Sequence, residues 1–327
     1  MQPLITIDAL TVAFRGVKVL DGVSLDVRRG EAIGLVGESG SGKSVTWLAA
    51  LGLLPNTATV SGSVKLEGAE LLGASASAMD KVRGGKVAMI FQDPASALNP
   101  VLSIRRQISE SLALHGGLSG AAIPAEAKRL LDLVGIPDAE RRLSAYPHEF
   151  SGGQSQRIMI AMALAGNPDL LIADEPTTAL DATIQAQILE LIWRVRRETG
   201  MAIVLISHDL GVVAENCDRV AVMYAGRIVE EAPAAELFDD PRHPYAAGLV
   251  GSLPTMDGPR RRLTAIAGTV PDPKAMPTGC AFAPRCDFAG PPCQSVPSLR
   301  VVGDNRRIAC VIDRRAAAAV RFGQAAE

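Results

Sequence analysis

The sequence predicts an α/β fold: a largely parallel sheet carrying a phosphate-binding loop, an inserted helical subdomain and a Cys/Pro-rich C-terminal extension. Three observations predict it. Buried apolar runs alternate with amphipathic helical stretches, the pattern of a parallel α/β core. One such run, EAIGLV, leads into GESGSGKS at Gly37–Ser44 and then into an apolar helical stretch. Beyond about residue 235 the texture turns to Pro, Gly and Cys, and four of the five cysteines fall at Cys280, Cys286, Cys293 and Cys310. With 327 residues the chain is long enough for one large domain and a smaller one. Their expected extents are 1–235, with the helical subdomain at about 96–160, and 236–327.

Taken in order, ITIDALTVAF alternates loosely and reads as an edge strand, and GVKVLDGVSLDVRRG as two short strands separated by a turn. EAIGLV is a buried strand, SVTWLAALGLL the helix opened by the glycine loop, and SGSVKLEGAEL a hairpin region. KVAMIFQDP is another buried strand, ending near Gln92. QISESLALHG and PAEAKRLLDLVGI read as helices, with Pro124 near the start of the second. Then follow the helix IMIAMALAG, the strand DLLIADEP, the amphipathic helix ATIQAQILELIWRVRRETG, the strand MAIVLISHD and the strand pair RVAVMYAGRIVEEA. There is no internal repeat.

The chemistry gathers at the strand ends. GESGSGKS fits G-x-x-x-x-G-K-[ST] in its strand–loop–helix context. Its glycines let backbone N–H groups curl around phosphates, and the helix start adds a favourable field. Lys43 would reach the β and γ phosphates, and the Ser44 hydroxyl would bind Mg²⁺. LLIADEP delivers Asp174, suited to Mg²⁺, and Glu175, suited to polarise an attacking water. His208, ending a strand beside the acidic one, would sense the γ-phosphate or else be a structural core histidine. Gln92 would touch Mg²⁺ and the attacking water, or simply cap a turn. Phe14 would stack on an adenine face or serve as sheet packing. EFSGGQSQ places Ser151, Gly152, Gly153 and Gln154 just before a helix, a second anion-seeking surface. One nucleotide pocket needs only one such loop, so a head-to-tail pair of domains, each lending SGGQ to the other's ATP, is the economical solution.

Composition excludes other classes. The 33 basic and 35 acidic side chains leave a net charge of -2, with no electrostatic footprint for nucleic acid. MQPLITIDALTVAFRG lacks a basic region followed by an apolar run, so no signal peptide is expected. The apolar stretches near 45–54 and 201–206 are too short to cross a bilayer. A soluble intracellular chain is therefore expected, in a reducing compartment that disfavours structural disulfides.

The set GESGSGKS, Gln92, SGGQ, LLIADEP, ALD at 179–181 and His208 resembles the ATP-binding domain of an ABC transporter over roughly residues 4–235. The resemblance implies an ABC-type P-loop ATPase core that binds ATP through Phe14 with Gly37, Glu38, Ser39, Gly40, Ser41, Gly42, Lys43, Ser44 and Val45. It assigns catalysis to Glu175, His208, Gln92 and Lys43, and Mg²⁺ ligation to Ser44, Gln92 and Asp174. Ser151–Gln154 would serve the partner's ATP, and Asp181 the coupling of the two sites. Ser155 stands where related importers often carry a basic residue.

DDPRHPYAAGLVGSLP, then AIAGTVPDP, then the cysteines resemble the C-terminal extension of oligopeptide/dipeptide importer ATPases over about 238–312. That resemblance implies an ATPase subunit on the cytoplasmic face of the inner membrane. Its partners would be a second, related ATPase subunit, two permeases and a periplasmic binding protein; no nucleic acid is involved. The alternatives are the same motor for nickel, glutathione or another small solute, and a soluble non-transport ABC ATPase. The cysteines are spaced C-x5-C-x6-C-x16-C, without the close pairs of common zinc knuckles. They would hold a [4Fe–4S] cluster, as some members of the importer group are thought to, or zinc, or remain packed thiols. Arg242, His243, Pro244 and Tyr245 read as packing surface, and Cys217 as a core thiol.

Overall fold

Strand and helix alternate along a computed structural model that describes residues 2–178, 180–253 and 266–312, residues 95 and 96 by backbone only. The order opens β1 (Ile5–Phe14), β2 (Val17–Val27), β3 (Ala32–Val36), α1 (Lys43–Ala50), β4 (Ala58–Leu66), β5 (Ala69–Glu70), α2 (Ala76–Val82) and β6 (Val87–Ile90). The insertion follows: α3 (Pro94–Ala97), α4 (Ile104–His115), α5 (Ala122–Leu133), α6 (Ala139–Arg142) and α7 (Gly152–Leu164). Next come β7 (Leu170–Asp174), α8 (Ala182–Thr199), β8 (Ala202–Ile206), α9 (Leu210–Asn216), β9 (Arg219–Tyr224) and β10 (Arg227–Pro233). The last are α10 (Ala234–Asp239), α11 (Pro244–Gly251), β11 (Arg300–Val301) and β12 (Arg307–Ile308).

Two compact units divide the chain. One comprises Met1–Leu4, Val27–Glu31 and Gly73–Ile206; the other comprises Ile5–Asp26, Ala32–Leu72 and the chain from Ser207 onward. In the first, β6, β7 and β8 pair in parallel, with Val87 opposite Leu170 and Asp174 opposite Ile206. Every residue of β7 and β8 is buried, as near-continuous apolar runs require of a sheet covered on both faces. Helices α4, α5 and α7 are inserted between β6 and β7 and pack on one another. Ile104, Ile108 and Leu112 of α4 and Ala127, Leu130 and Leu131 of α5 repeat at helical spacing and are buried.

In the second unit one sheet runs β2-β1-β4-β5, with β1 and β4 antiparallel from Ile5 opposite Leu66 to Phe14 opposite Ala58. A second sheet pairs β3 parallel to β9, then β9 antiparallel to β10, and β10 to β12 and β11. Two expectations need correction. β1 lies between β2 and β4 and is not an edge, because the strand that covers its far side comes from residues more than forty positions away. GVKVLDGVSLDV forms one strand: Asp21-Gly22 resembles a turn, but Gly22 takes a left-handed φ of 71° inside β2. Among the described residues no helix is long and apolar enough to cross a membrane.

The C-terminal residues of this unit are tied to its sheet by a buried charge. The Glu230 carboxylate on β10 is fully inaccessible and accepts from the N–H groups of Arg242 (3.0 Å) and His243 (2.7 Å) and from Arg306 Nη1 (3.2 Å). Burial raises its pKa against the pull of those donors. Arg306 also donates to the carbonyls of Asp240 (2.6 Å) and Glu236 (2.9 Å). Beside it Tyr224, Tyr245, Phe282 and His243 form a ring cluster, with centroids from 4.6 to 5.8 Å apart.

Candidate functional site

The phosphate loop joins β3 to α1, and its glycines answer to geometry. Gly37 has φ 150°, and a Cβ there would lie 2.1 Å from the Met223 carbonyl oxygen. Gly42, the left-handed N-cap of α1, would strike Leu20 at 2.4 Å. A Cβ on Gly40, by contrast, would face open space, so its φ of 76° alone demands glycine. Lys43 opens α1, is nearly buried, and folds back to donate from Nζ to the carbonyls of Gly37 (2.8 Å) and Glu38 (3.1 Å). Ser44 and Val45 are half-buried in the first turn, Ser39 and Gly40 are exposed, and the Ser41 Oγ is buried without a partner. This is a backbone cradle with a lysine held beneath it. Phe14 ends β1 half-buried, and His208, two residues past β8, is exposed and not packed in the core.

The acidic strand lies in the other unit. Asp174 ends β7 and is almost fully buried, and the chain leaves β7 at Glu175 in a left-handed conformation, φ 47°. A non-glycine residue there carries strain of about 1–3 kcal/mol. The Glu175 N–H is anchored to the Ile206 carbonyl (2.9 Å), and Oε2 accepts from Gln92 Nε2 (3.1 Å) and Thr178 Oγ1 (2.9 Å). Gln92 thus reaches the carboxylate from beyond β6.

The SGGQ motif starts α7 and does not precede it: Gly152, Gly153 and Gln154 lie within the first turn. Ser151 is the N-cap, its Oγ accepting from Gln154 N–H (3.3 Å) while Gln154 Oε1 accepts from Ser151 N–H (3.1 Å). Ser151 and Gly152 are exposed and Ser155 is buried. Asp181 caps α8 through the N–H groups of Thr183 (3.1 Å) and Ile184 (3.0 Å), and Ile184 leaves no room for a side chain at Gly153 (2.8 Å). Ala179, the first residue of ALD, lies outside the described residues.

Two residues that the sequence gave no reason to join to the loop touch it. The Tyr245 hydroxyl accepts from the Glu38 N–H (2.8 Å), and Arg285 Nη1 donates to Glu38 Oε2 (3.0 Å). The sequence marks Tyr245 only as packing surface and gives Arg285 no role. Separations of 207 and 247 residues leave no local signal for such contacts.

The expected cluster or zinc in the extension is overturned. Among the described residues no group of three or more His, Cys, Asp or Glu side chains is placed to hold a metal ion. Cys286 closes one short 3-10 turn and Cys293 lies in another, the Cys280 N–H donates to the Cys293 carbonyl (2.9 Å), and none of the four cysteines is in a disulfide. Burial pushes the thiols of Cys280, Cys286 and Cys310 up, and neighbouring cysteines add to the rise. Cys310 Sγ instead pairs with the Ile312 backbone (3.4 Å), and Cys217 is buried.

A glycine cradle before a helix, a buried acid ending a parallel strand and helices inserted between β6 and β7 define an α/β P-loop ATPase core of the ABC type. Solved structures agree. The chain is similar to CbiO1 of Clostridium perfringens, part of the CbiONQ complex (28% identity, TM-score 0.63, 73% of this chain and 92% of that one). It is also similar to the ATP-binding cassette MJ0796, a dimer bound to ADP and Pi (27% identity, TM-score 0.62, 70% and 98%). The family model described as ABC transporter matches residues 20–178, and that of the oligopeptide/dipeptide transporter C-terminal region matches 229–293. Similar proteins include the oligopeptide transport ATP-binding protein OppD of Haemophilus influenzae (46% identity, 91% of this chain and 94% of that one). A Brucella abortus protein provisionally named for peptide import and ATP binding is 50% identical over 89% of each chain. The chain belongs to the ATP-binding subunits of the oligopeptide/dipeptide import family of ABC transporters.

Proposed function

We propose that the chain hydrolyses ATP to power import of di- and oligopeptides through an ABC transporter complex. The observation that carries this is an intact ATPase set, Lys43, Asp174 and Glu175, in a chain whose residues 229–293 match the oligopeptide/dipeptide transporter region. Lys43 would leave the two loop carbonyls for the β and γ phosphates, and the loop N–H groups would take the remaining oxygens. Glu175 would orient and polarise the attacking water, with Gln92 holding its carboxylate and His208 reading the γ-phosphate. Phe14 would stack on the base. The oxygens of Ser44, Asp174 and Gln92 are hard donors of the kind Mg²⁺ takes, and the ion would neutralise charge on the phosphates. Rate enhancement then comes from positioning and charge stabilisation.

Ser151–Gln154 would serve a nucleotide on a second, related ATPase subunit, and Asp181 would couple the two sites. The full assembly would add two permeases and a periplasmic binding protein, with this subunit peripheral on the cytoplasmic face of the inner membrane. The Cys/Pro-rich extension from about residue 236 would be a docking or regulatory element.

ATP hydrolysis by the chain co-purified with its permeases, with and without binding protein loaded with mixed peptides, tests this. Stimulation by the loaded binding protein is expected. Hydrolysis that ignores peptides but responds to nickel or glutathione would reassign the solute, and no response in the complete complex would count against transport.

A further inference from the structure

Glu38, the second residue of the phosphate loop, is held at every polar group. Its carbonyl accepts from Lys43 Nζ (3.1 Å), its N–H donates to the Tyr245 hydroxyl (2.8 Å), and its carboxylate accepts from Arg285 Nη1 (3.0 Å). The first partner belongs to the loop; the other two belong to the C-terminal region. Both are themselves fixed. Tyr245 sits in the first turn of α11, has no exposed surface and is wedged against Tyr224 and Phe282. The Arg285 side chain is 6% exposed. Its guanidinium also donates to the carbonyls of Ala267 (2.8 Å) and Ile266 (3.3 Å) and to Tyr224 Oη (3.3 Å). The same head lies over the Tyr224 ring at 5.8 Å and the Phe282 ring at 5.9 Å. A planar donor fork held from several sides is a rigid reference point, and a loop residue paired with it inherits that rigidity.

A cradle of backbone N–H groups binds phosphate well only if its peptide planes already point inward, since ordering them on binding subtracts from affinity. Lys43 steadies the planes at Gly37 and Glu38 while its ammonium rests on their carbonyls. Once the ammonium turns to phosphate, those carbonyls lose that partner; the Ser41 N–H (3.2 Å) keeps the Glu38 carbonyl, and Tyr245 and Arg285 hold its N–H and carboxylate from outside the loop. We propose that Arg285 and Tyr245 are positioning residues of the phosphate loop, acting through Glu38, so that the C-terminal region sets nucleotide affinity. This rests on the reading of Gly37–Ser44 as the nucleotide loop. Linkage requires the reverse as well: nucleotide on the loop changes the hold on Arg285 by the same factor.

The test is titration of MgATP onto the full-length chain for wild type, Tyr245→Phe, Arg285→Lys, Arg285→Gln, Glu38→Gln and the Arg285→Gln/Glu38→Gln pair, with a melting temperature for each. Tyr245→Phe keeps the buried ring and removes only the acceptor; a rise in Kd of about 3- to 10-fold is expected, the value of one hydrogen bond. Arg285→Gln and Glu38→Gln should each weaken binding by a similar factor and the pair by no more than either alone, with Arg285→Lys between. In the assembled transporter Tyr245→Phe and Arg285→Gln should raise KM for ATP while kcat holds. Variants that melt lower but bind MgATP like wild type would overturn the inference, as would single effects that multiply in the pair. A wild-type chain that binds no nucleotide overturns the loop reading, and the inference with it.

Discussion

Glu175 joins a polar role to an unfavourable backbone. Its φ of 47° is one that glycine adopts freely and other residues resist. Glu175→Gly should therefore be more stable than Glu175→Ala by about 1 kcal/mol, the reverse of the usual order, as chemical denaturation of both would show. Glu175→Gln should keep MgATP binding and lower turnover about 10²- to 10⁴-fold; normal turnover in the assembled complex would remove Glu175 from its proposed role. A second residue carries a pH dependence. His243 is fully buried, its Nδ1 accepts the Tyr245 N–H (3.0 Å), and burial lowers its pKa from 6.5 to about 3. The unfolded chain takes up this proton near pH 6.5 and the folded chain only near pH 3, so its contribution is complete above pH 6.5 and is lost as pH falls between them. His243→Asn retains a cap and lacks the titration, so its denaturation midpoint should fall less steeply from pH 6.5 to 4; equal slopes would refute the assignment. The cradle glycines, Lys43, Asp174 and Glu175 were legible because their spacing is local. Arg285 and Tyr245 were not, because nothing near them in sequence refers to Glu38.

The elements hold the motifs in register through their ends. Asp181 fixes the start of α8, which presents Ile184 against Gly153 in the first turn of α7. Asp181→Ala removes the cap and should cost about 0.5–2 kcal/mol. Gly153→Ala should disturb the same contact from the other side, since a Cβ there meets Ile184 at 2.8 Å. Urea midpoints of the two variants and their pair should show non-additive losses, since both act through Ile184; additive losses would separate the cap from the contact. Most helices and buried strands could be read from apolar period and cap residues. Strand order could not: alternation says which face of β1 is buried and nothing about which strands flank it. Asp21-Gly22 is ambiguous for a related reason, because a glycine with positive φ sits inside a strand here as readily as in a turn between strands.

At the scale of the whole molecule, the C-terminal residues belong to the same compact unit as the phosphate loop. Glu230 and Arg306 make that union costly to undo. Arg306→Met should destabilise the chain by about 3–5 kcal/mol, since it leaves a buried carboxylate without its cation. Adding Glu230→Gln should recover much of that loss, and a double variant no better than the single would show that Arg306 matters for something other than charge. These two residues stand 76 positions apart. A ribosome adding about 5–20 residues per second leaves Glu230 waiting roughly 4–15 s for Arg306 to be made. The strand that will seat it spends that interval without the partner it closes upon, and the phosphate loop, made long before, waits in the same way for Tyr245 and Arg285. A late stretch of the chain is thus the one that closes a strand and a loop made well before it, and a cell starved in mid-synthesis would hold chains whose nucleotide loop is written but not yet set.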